Sequence, residues 1–311
     1  MIKFEEFYFD SRDKITKIHA VKWIPDREIK CVVQLVHGMA EHIERYDEFA
    51  RYLASEGILV VGNDHLGHGK TANTEDELGY FCKEDGATVL VRDVHRLKKI
   101  IQEQNLGKPY FICGHSMGSL IVRNYITRYG KGIDGAVIVG TTGPRGFLAK
   151  AGIILCDVLA KFFGWKHKSR LVNHILFGRF NDRISDSKDP NAWVCANEKI
   201  LKKYNEDDKC GFIFTLNGFK ELSRLSLLAE KKENLAKIPK DLPVYLLSGV
   251  EDPVGDYGEG VKKVYENYNA LGITNIEMKL YEGDRHEILN EEDRFRVYED
   301  IYHWIMKQME K

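Results

Sequence analysis

The spacing of apolar and polar positions changes several times along the first third of the chain. Phe4 to Phe9 and Lys17 to Ile24 intersperse aromatic or apolar with polar residues, a pattern that predicts an opening antiparallel hairpin. Four short and almost wholly apolar runs follow: Cys31–Val36, Ile58–Val61, Tyr110–Cys113 and Ala136–Val139. Runs of this kind, rich in β-branched residues, suit strands buried on both faces of a parallel sheet. Between them Tyr46–Ser55, Ala87–Gln104 and Met117–Tyr129 carry the helical period. Strand and helix in alternation predict a doubly wound α/β fold.

The alternation stops after Thr141-Thr142-Gly143-Pro144, and the chain reads as helix and loop to about Lys237. It resumes with a strand over Val244–Leu247, a helix over Glu259–Leu271 and a strand over Ile276–Tyr281. A last helix is expected to open at Asn290 as N-cap, with Glu291, Glu292 and Asp293 in its first turn, and to run to about Gln308. The expectation is a mostly parallel eight-stranded sheet flanked by helices. Residues 1–143 and 238–311 form its core, and 144–237 form an inserted helical cap. An insertion after the sixth strand would cover the strand ends, where open α/β sheets hold their sites.

Composition narrows the classes. A formal net charge of −1 across 311 residues gives no basic excess for nucleic acid. The start, Met-Ile-Lys-Phe-Glu-Glu-Phe, lacks the basic-then-apolar order of a secretion signal, and no apolar run nears the roughly 20 residues that span a bilayer. A cytoplasmic protein is expected. Its six cysteines show no C-x-x-C pair and no zinc spacing with histidine, so they read as free thiols and no metal is expected.

The chemistry centres on Gly114-His-Ser116-Met-Gly118, a G-x-S-x-G between an expected strand and an expected helix. A sharp strand-to-helix turn lifts the Ser116 hydroxyl into the site. It leaves room only for glycine at 114 and 118, and it brings free helix N–H groups beside a developing oxyanion. One donor would be the backbone N–H of Met117. The second would be that of Met39, after the His37-Gly38 turn that ends the third strand. His37 itself reads as structural.

A serine nucleophile needs a base, and His286 lies in the loop between the last strand and the last helix. The acid that orients it should follow the seventh strand. Asp252, held extended by Pro253, is preferred to Glu251 and Asp256. His286-Glu287 begins like a zinc H-E-x-x-H, but position 290 is Asn and the motif fails. Asp64-His-Leu-Gly-His-Gly69-Lys70-Thr71 ends like a phosphate loop, yet Asp64 stands in place of its first glycine, so it reads as a structural turn. His65 and His68 lack partners of metal spacing.

With those residues placed, the chain resembles the α/β-hydrolase superfamily, and within it the monoacylglycerol lipase and lysophospholipase group, also classed with S33 serine aminopeptidases, in its bacterial form. The resemblance runs through His37-Gly-Met-Ala-Glu-His42 with Arg45-Tyr46, Asp64-His-Leu-Gly-His-Gly69, Gly114-His-Ser-Met-Gly118, Asp252-Pro-Val-Gly255 and Gly283-Asp-Arg-His286. It implies a serine hydrolase with Ser116, Asp252 and His286 as triad, Met39 and Met117 as oxyanion donors, and no cofactor. Ser119 departs from the second glycine of animal monoacylglycerol lipases.

The insertion carries the clue to substrate. Leu148, Ala151, Leu155, Val158, Leu159 and Phe162 fall on one helical face, and Arg145 to Arg183 holds eight Arg or Lys against Asp157 and Asp182. Leu155, Leu159, Phe212 and Phe219 are candidate acyl-pocket residues, and the basic apolar cap is a candidate for peripheral membrane contact. A cap helix packed on its own domain would show the same pattern. The reading is an esterase for monoacyl lipids working through an acyl-enzyme. A thioesterase, an amidase or aminopeptidase with the same triad, and a non-catalytic binding relative are the alternatives. Nothing in the sequence sets an oligomeric state.

Overall fold

In a computed structural model that describes residues 1–184 and 188–310, one eight-stranded sheet organises the chain. Its strands are β1 (Lys3–Asp10), β2 (Lys17–Ile24), β3 (Cys31–Val36), β4 (Ile58–Asn63), β5 (Tyr110–His115), β6 (Gly135–Val139), β7 (Val244–Gly249) and β8 (Ile276–Tyr281). They lie in the order β1-β2-β4-β3-β5-β6-β7-β8. β2 runs antiparallel to both β1 and β4, and every other neighbouring pair is parallel. The six residues of β5 are all buried because both faces are covered. Tyr110 and Ile112 enter one core with α2 (Gly86–Gln104), α3 (Met117–Tyr129) and α9 (Glu259–Ala270). Phe111 and Cys113 enter the other, with α1 (Asp47–Ser55) and α10 (Arg294–Met309).

The strands run past the apolar runs that announced them. β4 continues through Gly62 and Asn63, and β5 through Gly114 and His115. The added residues are polar or lack a side chain, so apolar patterning is blind to them. All six cysteines are buried and free.

Between β6 and β7 the chain makes α4 (Gly146–Phe163), α5 (Arg170–Phe177), α6 (Glu198–Glu206), α7 (Leu216–Glu230) and α8 (Lys232–Leu235). Three of these have local start signals: Ser169, Asn197 and Thr215 each accept first-turn N–H groups through the side chain. α4 packs on α7, buries Ala149, Cys156 and Ala160, and leaves Phe147, Ile154, Val158 and Phe162 exposed.

One boundary is corrected. The last helix starts at Arg294, four residues after Asn290. Asn290 instead donates to Glu287 Oε2 at 2.8 Å. Glu291 is buried, where its carboxylate accepts the N–H groups of Ala196 (2.9 and 3.0 Å), Asn197 (3.2 Å) and Arg285 (3.0 Å). An acid engaged by three backbone donors from outside is unavailable to open a helix.

Candidate active site

Three loops at the C-terminal ends of the parallel strands meet beside β5. Ser116 follows β5 with φ 55° and ψ −119°, a left-handed turn that a non-glycine residue rarely adopts. The flanking glycines are required by contact. A Cβ at 118 would lie 1.9 Å from the Val36 carbonyl oxygen, and one at 114 would lie 2.4 Å from that of Gly118. The Ser116 N–H donates to Val139 O at 3.0 Å, which seats the turn on β6. Ser119 donates its hydroxyl to Ser116 O at 2.5 Å.

Gly38 brings the loop after β3 against this turn: a Cβ there would come within 3.1 Å of Ser116 Cβ. The next residue, Met39, and Met117 at the start of α3 line the same cavity as Ser116. Three buried histidines support the loop. His37 Nδ1 donates to Gly38 O at 2.8 Å, and its Nε2 accepts from His65 N–H at 2.9 Å. His65 Nε2 donates to His37 O at 3.2 Å. His68 Nδ1 donates to Leu66 O, and its Nε2 accepts from Ala40 N–H at 3.2 Å. Burial lowers the pKa of all three, that of His68 to about 3, so they are neutral rings. Both nitrogens of His37 and of His68 bond to backbone groups, whereas the buried His65 Nδ1 has no partner among the described residues. Asp64 explains the turn that resembles a phosphate loop. Its own carboxylate accepts Ile43 N–H, Lys70 N–H and His19 Nδ1–H, each at 2.8 Å, and fills the hollow an anion would take.

His286 follows β8, and its Nδ1 lies 3.0 Å from Asp252 Oδ2. Asp252 is fully buried and also accepts from Ser248 Oγ (3.2 Å) and Val254 N–H (2.8 Å), whereas Glu251 and Asp256 are exposed. Burial alone would raise the Asp252 carboxyl; the adjoining His286 charge and the hydrogen bonds outweigh it and hold the group below its ordinary value. The His286 ring stands 4.6 Å from His115 and 5.2 Å from Trp193, centre to centre.

Sequence reasoning missed a charged network beneath these loops. Glu41 accepts from Gly38 N–H (2.5 Å), Tyr46 Oη (2.8 Å) and His115 Nδ1 (3.3 Å). Arg45 joins Glu41 at 2.7 Å to Glu287, which it grips with two bonds of 2.6 Å, and all three side chains are almost wholly enclosed. His115 Nε2 donates to the His286 carbonyl at 3.2 Å. Burial would lower the His115 pKa, but Glu41 beside it raises it, in keeping with a ring that donates from both nitrogens. The ionisable residues of the His37–Tyr46 stretch were the available signal, since six such groups beside a buried turn need partners.

Ser116, His286, Met39 and Met117 share the wall of a cavity of about 640 Å³. Its apolar lining includes Leu148, Leu155, Leu176, Phe177 and Phe212, and Thr142, Asn173, Asn181 and Ser223 add polar groups. Of the candidate pocket residues, Leu155 and Phe212 take part. Leu159 is partly buried against the main core, and Phe219 is fully buried in that core beside Phe214 and Phe177, so neither lines the cavity. Among the described residues no helix is long and apolar enough to cross a membrane.

An eight-stranded, mostly parallel sheet with a strained serine turn and a carboxylate-bound histidine at its strand ends defines an α/β hydrolase. Residues 27–293 match the family described as Serine aminopeptidase, S33, and the chain belongs to it. A monoglyceride lipase homolog of Monkeypox virus is 28% identical over 302 residues, covering 94% of this chain and 95% of that protein. A monoacylglycerol lipase of Mycolicibacterium smegmatis is 25% identical, with 92% of each covered. Among solved structures, a highly thermostable carboxyl esterase from Bacillus coagulans in complex with glycerol superposes with a TM-score of 0.91 at 31% identity over 99% of both chains. These relatives make the protein a carboxylic ester hydrolase of the monoglyceride lipase kind.

Proposed function

We propose that the protein hydrolyses esters of monoacyl lipids, monoacylglycerol or lysophospholipid, with Ser116, His286 and Asp252 as its triad. The observation that carries this reading is the shared cavity: Ser116 and His286 open onto apolar walls fit for an acyl chain, with polar groups at hand for a head group. His286 Nε2 takes the Ser116 proton as Oγ attacks the ester carbonyl. The N–H groups of Met39 and Met117 receive the oxyanion, and the returned proton leaves with the alcohol. Water then attacks the acyl-enzyme by the same route in reverse. Asp252 fixes the tautomer of His286 and stabilises the imidazolium.

Residues 144–237 act in this reading as a cap over the strand ends. The exposed apolar side chains of α4, with Lys150 and Lys161 on the same helix, suit peripheral contact with a lipid surface from the cytoplasmic side. The names of the relatives, one a monoacylglycerol lipase and one a monoglyceride lipase homolog, support the same substrate class.

The test pairs an active-site fluorophosphonate with a substrate panel. Wild-type protein should be labelled at Ser116 and should cleave glycerol or glycerophospho monoesters faster than acyl thioesters or aminoacyl anilides. Ser116→Ala should lose both labelling and hydrolysis. Full activity in that variant would overturn the mechanism, and preference for the anilides would move the chain to peptide chemistry.

A further inference from the structure

The loop after β3 carries a second group of reactive side chains, outside the cavity that holds Ser116. His42 Nε2 lies 2.8 Å from Asp207 Oδ2, and the Cys210 thiol completes a trio whose ligand atoms all fall within 4.8 Å of one another. Asp207 and Cys210 come from one tight turn: Cys210 N–H donates to Asp207 O at 2.8 Å, and Lys209 N–H to Asp207 Oδ1 at 2.8 Å. This D-x-x-C turn presents two donors on one side, as C-x-x-C turns do in structural metal sites. The turn is bound to the His42 loop independently of those side chains, by Gly211 N–H to Ala40 O at 2.9 Å. His42 and Asp207 also border an open cavity of about 600 Å³, so water can reach the group.

We propose that His42, Asp207 and Cys210 form a zinc site that clamps the loop after β3 to the helical insertion. The donor set is one imidazole nitrogen, one carboxylate oxygen and one thiolate sulfur, a mixture that selects zinc over calcium or magnesium. Two anionic ligands and a neutral imidazole balance the dication. Tetrahedral bonds of about 2.0–2.3 Å place ligand atoms about 3.5 Å apart, so atoms up to 4.8 Å apart close by up to about 1.3 Å while the His42–Asp207 pair at 2.8 Å opens by about 0.7 Å. Water from the open cavity takes the fourth position. Binding breaks the His42–Asp207 hydrogen bond and the Cys210 S–H bond, forms the three metal bonds and releases one proton to solvent.

The other candidate trio, Glu6, His19 and Glu44, carries no such argument, because the Lys70 ammonium already pairs with Glu6 and Glu44. Sequence spacing hid the His42 group because 165 positions separate His42 from Asp207. The clamp closes at His42, three residues after Met39, so its effect falls on the loop that shapes the cavity, without touching the reacting atoms.

Cobalt(II) titrated into chelator-stripped full-length protein is the probe. One equivalent should produce a thiolate-to-cobalt charge-transfer band that one equivalent of zinc abolishes. Cys210→Ser should remove the band. The half-exposed Asp207→Asn, chosen because it leaves the fold intact, should weaken zinc binding in competition with a chromophoric chelator by more than about tenfold, the loss that even outer-shell partners cause. Zinc should raise the Tm of the wild type and leave that of Asp207→Asn unchanged. Absence of saturation at one equivalent, a band that persists in Cys210→Ser, or binding without a thiolate band would each overturn the site.

Discussion

Arg45 holds Glu287, the residue next to His286, through two parallel N–H···O bonds of 2.6 Å across 242 positions of sequence. The same guanidinium reaches Glu41, whose carboxylate anchors Gly38 beside Ser116. One buried cation thereby links the loop after β3 to the loop after β8. Removing it would strand two enclosed carboxylates. Arg45→Ala should cost about 3–5 kcal/mol by denaturant unfolding. Adding Glu41→Gln and Glu287→Gln to that variant should recover part of the loss, because neutral side chains no longer repel. An unchanged midpoint in the single variant would show that the network contributes nothing.

Asp252 fixes His286 from a site without solvent. Asp252→Asn retains the shape and the Val254 contact but favours the wrong tautomer of the imidazole. Hydrolysis of a short-chain ester should fall about 10⁴-fold in kcat, and fluorophosphonate labelling of Ser116 should slow in step. The fold, followed by circular dichroism, should be unaffected.

The serine turn leaves little freedom for substitution. In Gly118→Ala the new methyl would press on the Val36 carbonyl oxygen, a backbone atom that cannot swing aside. A loss of more than about 3 kcal/mol, beyond ordinary overpacking, is expected in thermal or chemical unfolding. Gly107→Ala, at a surface turn where a Cβ meets nothing, isolates the cost of a positive φ alone and should be milder.

Asp93 predicts a pH dependence of stability. It accepts Ser11 Oγ–H and Arg12 N–H, each at 2.6 Å, yet burial pushes its carboxyl from 3.8 up to about 7. The folded protein therefore binds this proton more tightly than the unfolded chain. Its contribution to stability is fully present below the unfolded value and is lost as pH rises towards 7. Asp93→Asn should flatten the profile, gaining over wild type at about pH 8 and little at about pH 5. Parallel unfolding profiles for the two proteins would refute the assignment.

What the sequence made legible followed from how local each signal is. The turn around Ser116 is written in five consecutive residues, and the strand and helix on either side are short runs of clear period. Chain order singled out His286 and Asp252, since each strand end delivers its loop to the same edge of the sheet, and the structure sets the two 3.0 Å apart. Contacts between distant charges left no such trace. Glu287 was noticed only as part of a failed zinc motif, and Glu41 and Arg45 only as part of a resemblance. Their pairing depends on the closeness of β3 and β8 loops that no local pattern encodes. Asn290 misled for the opposite reason. It and the three acids after it look like a helix start, but Glu291 is drawn away by backbone N–H groups of the insertion.

Those same bonds set where the cavity can open. Glu291 and the Glu287 N–H, which donates to Val194 O at 2.8 Å, fasten the His286 loop to residues 194–197. The two stretches form one strut, so lifting the insertion at that end would carry His286 away from Asp252. The cavity wall that α4 and α5 build from Leu148, Leu155 and Leu176 takes no part in this contact.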